Sequence, residues 1–197
     1  TTIPPVHHLE IGDVLFVRVL SSNDKSYEFF NVETNTNSSI NNTSMASLYL
    51  NGSTINSKGV IEIPVIGEIY LLGQDLEEAK ISVQKAADEY LKDAIVIVKL
   101  ANFQVTILGE VNNAGTFPVF KESVTIFEAL AMAGDLSDYA NRQKLKIVRT
   151  HNNKKYIYAI DLTDQQLLLS DFYYLRNDDV IYVEPLKYRT FRKSQSQ

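Results

Sequence analysis

The sequence predicts a strand-rich α+β protein of two small domains, and three of its features carry that expectation. Short runs that alternate apolar and polar residues, such as Phe103-Gln-Val-Thr-Ile-Leu108, recur between clusters of Gly, Pro, Asn and Asp, as half-buried strands do between turns. Two segments have capping-box spacing, Asp75 with Glu78 and Thr125 with Glu128, and each opens a stretch with apolar residues at helical period. A polar turn leading into Asp-Val, an aliphatic residue, an aromatic residue and Val occurs near both ends, at Gly12-Asp13-Val14 and Asp178-Asp179-Val180. Nothing else recurs at fixed spacing, so the turn is one device used twice rather than part of a repeat array.

Taken in order, the chain begins with Leu9-Glu-Ile-Gly-Asp-Val-Leu-Phe-Val-Arg-Val19. Here a glycine-aspartate turn feeds a strand whose Val14, Phe16 and Arg18 face away from Leu15, Val17 and Val19. Residues 34–57 are dominated by Asn, Ser and Thr around one apolar island, Met45 to Leu50. That composition predicts a long solvated insertion, with a sugar-facing loop as the sharper alternative, because amides and hydroxyls bond carbohydrate well. Acceptor sequons at Asn37, Asn41, Asn42 and Asn51 decide nothing in so Asn-rich a tract.

Lys58 to Leu72 reads as two short strands meeting near Pro64 and Gly67. Asp75 then caps the strongest helix, with Leu76, Ala79, Val83, Ala86, Ala87, Tyr90 and Leu91 on one stripe. Ala94-Ile-Val-Ile-Val-Lys-Leu100 is a β-branched run expected to be more buried than its neighbours, and Ala101-Asn102 closes the first half.

The second half opens on Phe103 to Leu108 and a reversal at Asn112-Asn-Ala-Gly115, whose residues tolerate positive φ. Pro118 suits a strand at a sheet edge, where a missing donor does no harm. Thr125 caps a short helix that Gly134 closes. Strands follow near Leu145 to Thr150 and Tyr156 to Asp161, joined at Asn152-Asn-Lys154, before the second Asp-Val strand. One short helix over a mixed sheet in roughly 80 residues describes a small unit of β-grasp type.

Composition narrows the function. With 45% hydrophobic residues the chain can bury a core, and zero cysteines exclude disulfides, thiol catalysis and cysteine metal sites. Lys187, Arg189, Arg192 and Lys193 give the tail +4 out of a total of −5, which leaves about −9 before it, a body that repels nucleic-acid phosphates. No window reaches the roughly 18 consecutive apolar residues of a membrane helix, and Thr1-Thr-Ile-Pro-Pro lacks the features of a signal peptide. Both ends are abrupt, so targeting or anchoring parts are expected outside this sequence.

Candidate sites have bland readings. His7 and His8 read as a solvated or tag-like pair, far from His151, and no metal or cofactor site is expected. Asp13, Asp178 and Asp179 read as turn residues rather than acid-base catalysts. Gly109 and Gly115 are backbone residues, with no lysine-serine ending of a phosphate loop nearby. Asn112, Asn113, Tyr156, Tyr158, Tyr173 and Tyr174 are the candidate ligand or oligomer contacts, the tyrosines with Tyr182 forming either a stacking platform for sugar rings or ordinary sheet packing. On the long helix, Glu77, Asp88 and Glu89 with Lys80, Lys85 and Lys92 are available to pair between copies, against the default of a solvated face. Nothing in the chain sets a nucleophile beside a base.

The motifs together resemble a known family. Ile11-Gly-Asp-Val-Leu, Gly59-Val-Ile-Glu-Ile-Pro-Val-Ile-Gly-Glu and Asp75-Leu-Glu-Glu-Ala resemble the export-domain signature of the polysaccharide biosynthesis/export family of outer-membrane lipoproteins. Leu108-Gly-Glu-Val-Asn-Asn-Ala-Gly-Thr-Phe-Pro118, with Glu110 inside it, and Thr125 to Gly134 resemble the soluble-ligand-binding β-grasp (SLBB) domain that accompanies it. The resemblance implies an export domain over residues 6–101 (a mixed sheet with one long helix), an SLBB β-grasp domain over 102–186 and a basic tail over 187–197. It implies no enzyme, but a periplasmic homo-oligomeric ring passing capsular polysaccharide or exopolysaccharide, attached to the outer membrane by a lipid anchor absent from this sequence. An inner-membrane polysaccharide co-polymerase or tyrosine kinase is the implied protein partner. The competing readings are a stand-alone periplasmic ligand- or glycan-binding module and a glycan hydrolase, the latter needing two carboxylates across a cleft.

Overall fold

A computed structural model describes residues 3–21, 52–151 and 154–186. Most of the Asn/Ser-rich insertion, the Asn152-Asn153 turn and the basic tail lie outside these residues. The chain divides into two compact units, Val6–Asn102 and the chain from Phe103 onward.

In the first unit, β1 (Val14–Ser21) lies between β2 (Ser53–Thr54) and β5 (Ala94–Leu100), antiparallel to both. A separate hairpin pairs β3 (Val60–Ile63) with β4 (Gly67–Tyr70), setting Glu62 opposite Glu68. The helix α1 (Leu76–Asp88) starts at the expected residue: the Asp75 carboxylate accepts from Glu78 N at 2.8 Å, and Glu78 accepts in return from Asp75 N at 3.1 Å. Two of the four orphan donors at the helix start are thereby satisfied. Its stripe buries Ala79, Val83 and Ala87 against Leu15, Val19, Ile61, Ile69, Val96 and Val98. Small residues on that stripe let the helix approach the sheet closely, and Val83 alone contributes about 1.5–3 kcal/mol by leaving water.

Two expectations for this unit need correction. Tyr90, placed on the apolar stripe, lies past the helix end and is 51% exposed. The run Ala94–Leu100 is no more buried than its neighbours: only Val96 and Val98 are buried and Ile95 is exposed, because one face of β5 looks outward. The β-branched run is therefore a half-buried antiparallel strand.

The second unit has a five-stranded sheet in the order β10-β9-β12-β6-β7. Its strands are β6 (Gln104–Gly109), β7 (Gly115–Pro118), β9 (Ala140–His151), β10 (Lys154–Ile160) and β12 (Val180–Pro185). β6 and β12 run parallel at the centre and the other pairs are antiparallel, so this sheet is mixed. The helix α2 (Ile126–Met132) buries Ile126, Ala129 and Leu130, and Val105, Ile107, Leu145, Ile147, Ile181 and Val183 of the sheet are buried as well. That is the β-grasp arrangement, with both capping-box bonds of Thr125 and Glu128 formed and Pro118 at the end of an edge strand. A two-stranded ribbon, β8 (Val124–Thr125) with β11 (Tyr174–Leu175), runs into the helix start. Both units are α+β.

Candidate functional site

The two Asp-Val turns are built alike. The Asp13 carboxylate accepts from Glu10 N at 2.9 Å while Asp13 N donates to Glu10 O at 3.1 Å. In the second turn the Asp179 carboxylate accepts from Arg176 N at 2.8 Å, and Asp179 N donates to Arg176 O at 3.2 Å. In each case the preceding residue is left-handed, Gly12 at φ 96° and Asp178 at φ 61°. Asp and Gly are the residue types that tolerate this conformation. Both carboxylates are buried and serve the backbone of their own turn.

Their remaining oxygen capacity goes to different bases. His7 Nε2 lies 2.8 Å from Asp13 Oδ2, and His8 Nδ1 lies 3.1 Å from the Gly73 carbonyl. His7 is thus fastened to the first unit and half-buried rather than solvated or tag-like, whereas His8 is exposed and touches that unit at its surface. The bond to Asp13 outweighs the burial that would lower the His7 pKa, so it is raised above its usual 6.5, with Glu10 adding a further attraction. In the second unit Arg149 grips Asp179 through Nε at 3.0 and 3.2 Å and through Nη2 at 2.6 Å. Arg149 also donates to the carbonyls of Asp171 at 3.4 Å and Tyr174 at 3.2 Å, and lies 5.4 Å from the Phe172 ring centroid. Sequence reasoning missed this cluster. Its signal is Arg149 two residues after Ile147 and four after Leu145, on the inward side of β9, where an unpartnered guanidinium would be costly.

The Asn112-Asn113 turn does not use positive φ as expected; the left-handed residue is Gly109, at φ 94°, and Gly115 simply opens β7. A side chain at Gly109 would collide with the Val183 carbonyl, which is why only glycine fits this left-handed position. Asn112 and Asn113 instead fasten the turn to the end of α2. Asn112 N donates to Asp135 O at 3.1 Å, Asn113 N to Ala133 O at 2.9 Å and Asn112 Nδ2 to Gly134 O at 2.5 Å. Gly134 is left-handed at φ 71°, and a Cβ there would lie 2.7 Å from Asn113 Nδ2. Glu110 accepts from Ser137 Oγ at 2.9 Å and binds the same segment.

The late tyrosines gather around Arg149. Tyr156 and Tyr158 lie on one side of β10 with ring centroids 6.4 Å apart, and Tyr158 is 4.5 Å from Phe172. Tyr173 meets Tyr174 edge-on at 5.0 Å and Phe127 at 6.4 Å. The structure therefore sets Tyr156 beside Tyr158 and Tyr173 beside Tyr174, as two pairs, whereas Asn112 and Asn113 sit with the end of α2. Tyr182, 40% exposed, stands opposite Lys146, on the other side of the sheet from Ile181 and Val183. In the first unit, Pro64 and Gly67 flank the tip of the β3–β4 hairpin and Asp75 caps α1.

Several acids in both units serve local structure. Besides the turns and caps, Asp135, Asp161 and Asp164 each accept from a backbone N–H one or two residues on, at 2.7 to 2.8 Å. Residues 2–101 match the family described as polysaccharide biosynthesis/export protein, and residues 104–183 match the SLBB domain. The first match covers the turn, hairpin and capped helix of the first unit, the second the five-stranded sheet, up to Val183 of its last strand, with its helix. The chain belongs to the polysaccharide biosynthesis/export protein family.

Proposed function

We propose that this chain is a non-catalytic subunit of a periplasmic, outer-membrane-attached channel that exports capsular polysaccharide or exopolysaccharide. Copies tile into a ring, with residues 6–101 as the export domain and 102–186 as the SLBB domain. The observation that carries the reading is the pairing of the two family matches with acids committed to turns and caps: Asp13, Asp75, Glu78, Glu128 and Asp179 each accept from a backbone N–H of their own turn. Such a design holds two scaffolds rigid and leaves their surfaces to contact neighbours and glycan. Transport then works by geometry, as a polar lumen binds glycan weakly enough for it to slide. The partners are further copies, the polysaccharide, an inner-membrane co-polymerase or tyrosine kinase and, through a lipid anchor, the outer membrane.

Sedimentation of the lipid-anchored full chain across a concentration series tests the proposal. A discrete closed oligomer is expected. A strict monomer that binds one small ligand saturably would replace this reading with that of a stand-alone binding module, and turnover of a polysaccharide abolished by one Asp or Glu substitution would make it an enzyme.

A further inference from the structure

β10 stands at one edge of the five-stranded sheet, and the side of it that faces inward carries Lys154, Tyr156 and Tyr158 in succession. Register sets Tyr158 opposite Ile147, Tyr156 opposite Arg149 and Lys154 opposite His151. The rings on this side form a tilted series. Arg149 lies 5.4 Å from the Phe172 centroid, Phe172 lies 4.5 Å from Tyr158, and Tyr158 lies 6.4 Å from Tyr156 at an interplanar angle of 30°. The guanidinium closes the series at one end, and Tyr156 is its last ring at the other.

Sheet packing accounts for Tyr158, which is half-buried on Phe172, but not for Tyr156. Tyr156 is 43% exposed, and among the described residues Tyr158 is its only ring neighbour and no cation lies over it. Edge strands are ordinarily blunted by charged side chains, so an exposed ring there needs another reason. The hydroxyls of Tyr156 and Tyr158 make no hydrogen bond, and Lys154 no ion pair, among the described residues. One side of one strand thus offers the open face of a ring, two phenol hydroxyls and an ammonium. An acidic pyranose matches all three: its C–H face stacks on the negative face of an aromatic ring, its hydroxyls pair with phenols, and its carboxylate pairs with an ammonium. The matched family is that of polysaccharide biosynthesis/export, which supplies such rings.

We propose that Tyr156, Tyr158 and Lys154 form a subsite for an acidic sugar residue of the exported polysaccharide, its ring on the open face of Tyr156 and its carboxylate on Lys154. The inference rests on the export reading and gives the glycan a contact point on the SLBB domain. One stacked ring and one exposed ion pair bind weakly, as suits a polymer that must slide.

The test is saturation-transfer NMR on the full chain, with hexasaccharides of hyaluronan and of polygalacturonate as acidic probes and maltohexaose as the neutral one. At least one acidic probe is expected to bind, with transfer strongest to the ring C–H protons of its uronic acid. Tyr156→Leu, which keeps apolar bulk without the ring, is expected to weaken binding about tenfold, and Tyr156→Phe to retain most of it. Lys154→Gln is expected to weaken acidic probes about threefold at low salt and to leave maltohexaose unchanged. Acidic probes that fail to bind the parent, or that bind Tyr156→Leu as tightly, overturn the subsite, and a closed oligomer in sedimentation would then leave the ring standing without it. Loss in Tyr156→Phe as large as in Tyr156→Leu overturns the stacking. Maltohexaose bound as tightly as the acidic probes, or no loss in Lys154→Gln, overturns the choice of an acidic sugar. A parent that binds through Tyr156 yet stays monomeric upholds the subsite and overturns the ring.

Discussion

The turns at Asp13 and Asp179 share a backbone and differ in what holds them. Each carboxylate accepts from the N–H three residues earlier, at 2.9 and 2.8 Å, yet one is completed by His7 and the other by Arg149. The His7 contact is local, six residues away, partly exposed and titratable. The Arg149 contact spans thirty residues, is buried, and uses both nitrogens of the guanidinium edge that faces Asp179. A turn with a nearby histidine stitches the residues just before β1 to their own unit. A turn with a buried arginine stitches three separate parts of the sequence together, since Arg149 also holds the Asp171 and Tyr174 carbonyls.

This difference has measurable consequences. The largest is expected for Arg149→Met, which leaves the Asp179 carboxylate buried without its partner and costs about 3–5 kcal/mol in urea denaturation. Asp13→Ala removes the matching group of the first turn and costs less, about 1–2 kcal/mol, because it leaves one N–H and a partly exposed histidine behind. Equal losses at the two turns would show that the guanidinium cluster adds nothing beyond the shared backbone. At the left-handed positions, Gly12→Ala meets no atom within 4 Å, so it costs only the conformational strain of about 1–2 kcal/mol. Asp178→Gly should stabilise by under about 1 kcal/mol, and a loss there would mean that its bond to Gln104 Nε2, 2.9 Å long, outweighs the strain.

The smallest effect depends on pH. Because the folded His7 pKa lies above its usual 6.5, the bond to Asp13 gives its full stabilisation below about that pH and loses it as pH rises through the folded value. Hydrogen exchange at the Glu10 amide should therefore quicken from mildly acidic to mildly basic pH, by less than about 1 kcal/mol after correction for intrinsic rates. The Arg176 amide, whose turn is completed by a guanidinium rather than an imidazole, should show no such change. In His7→Gln the Glu10 amide should become equally insensitive, and a response that persists in this variant would remove His7 from the account.

What was legible in the sequence was local. Both capping boxes, the two hairpin strands around Pro64 and Gly67, the closing glycine of α2 and both aspartate turns depend on residues within about four positions of each other, and all formed as read. Illegible features needed distant neighbours. Nothing near Arg149 announces Asp179, and nothing near Gly109 announces the Val183 carbonyl that forbids a side chain there. Strand Ala94–Leu100 reads as more buried than its neighbours because β-branched composition reports strand propensity, whereas the outward face of its sheet is set by topology. Val65 is the sharpest case: residue preferences argue against a left-handed valine, so only coordinates reveal it.

The central claim is that rigid turn-and-cap scaffolds tile around a passage. Electron microscopy of the lipid-anchored full chain in detergent tests it most directly. Closed, rotationally symmetric particles with a central opening are the predicted result, and isolated monomers or open-ended strings at every concentration would contradict it.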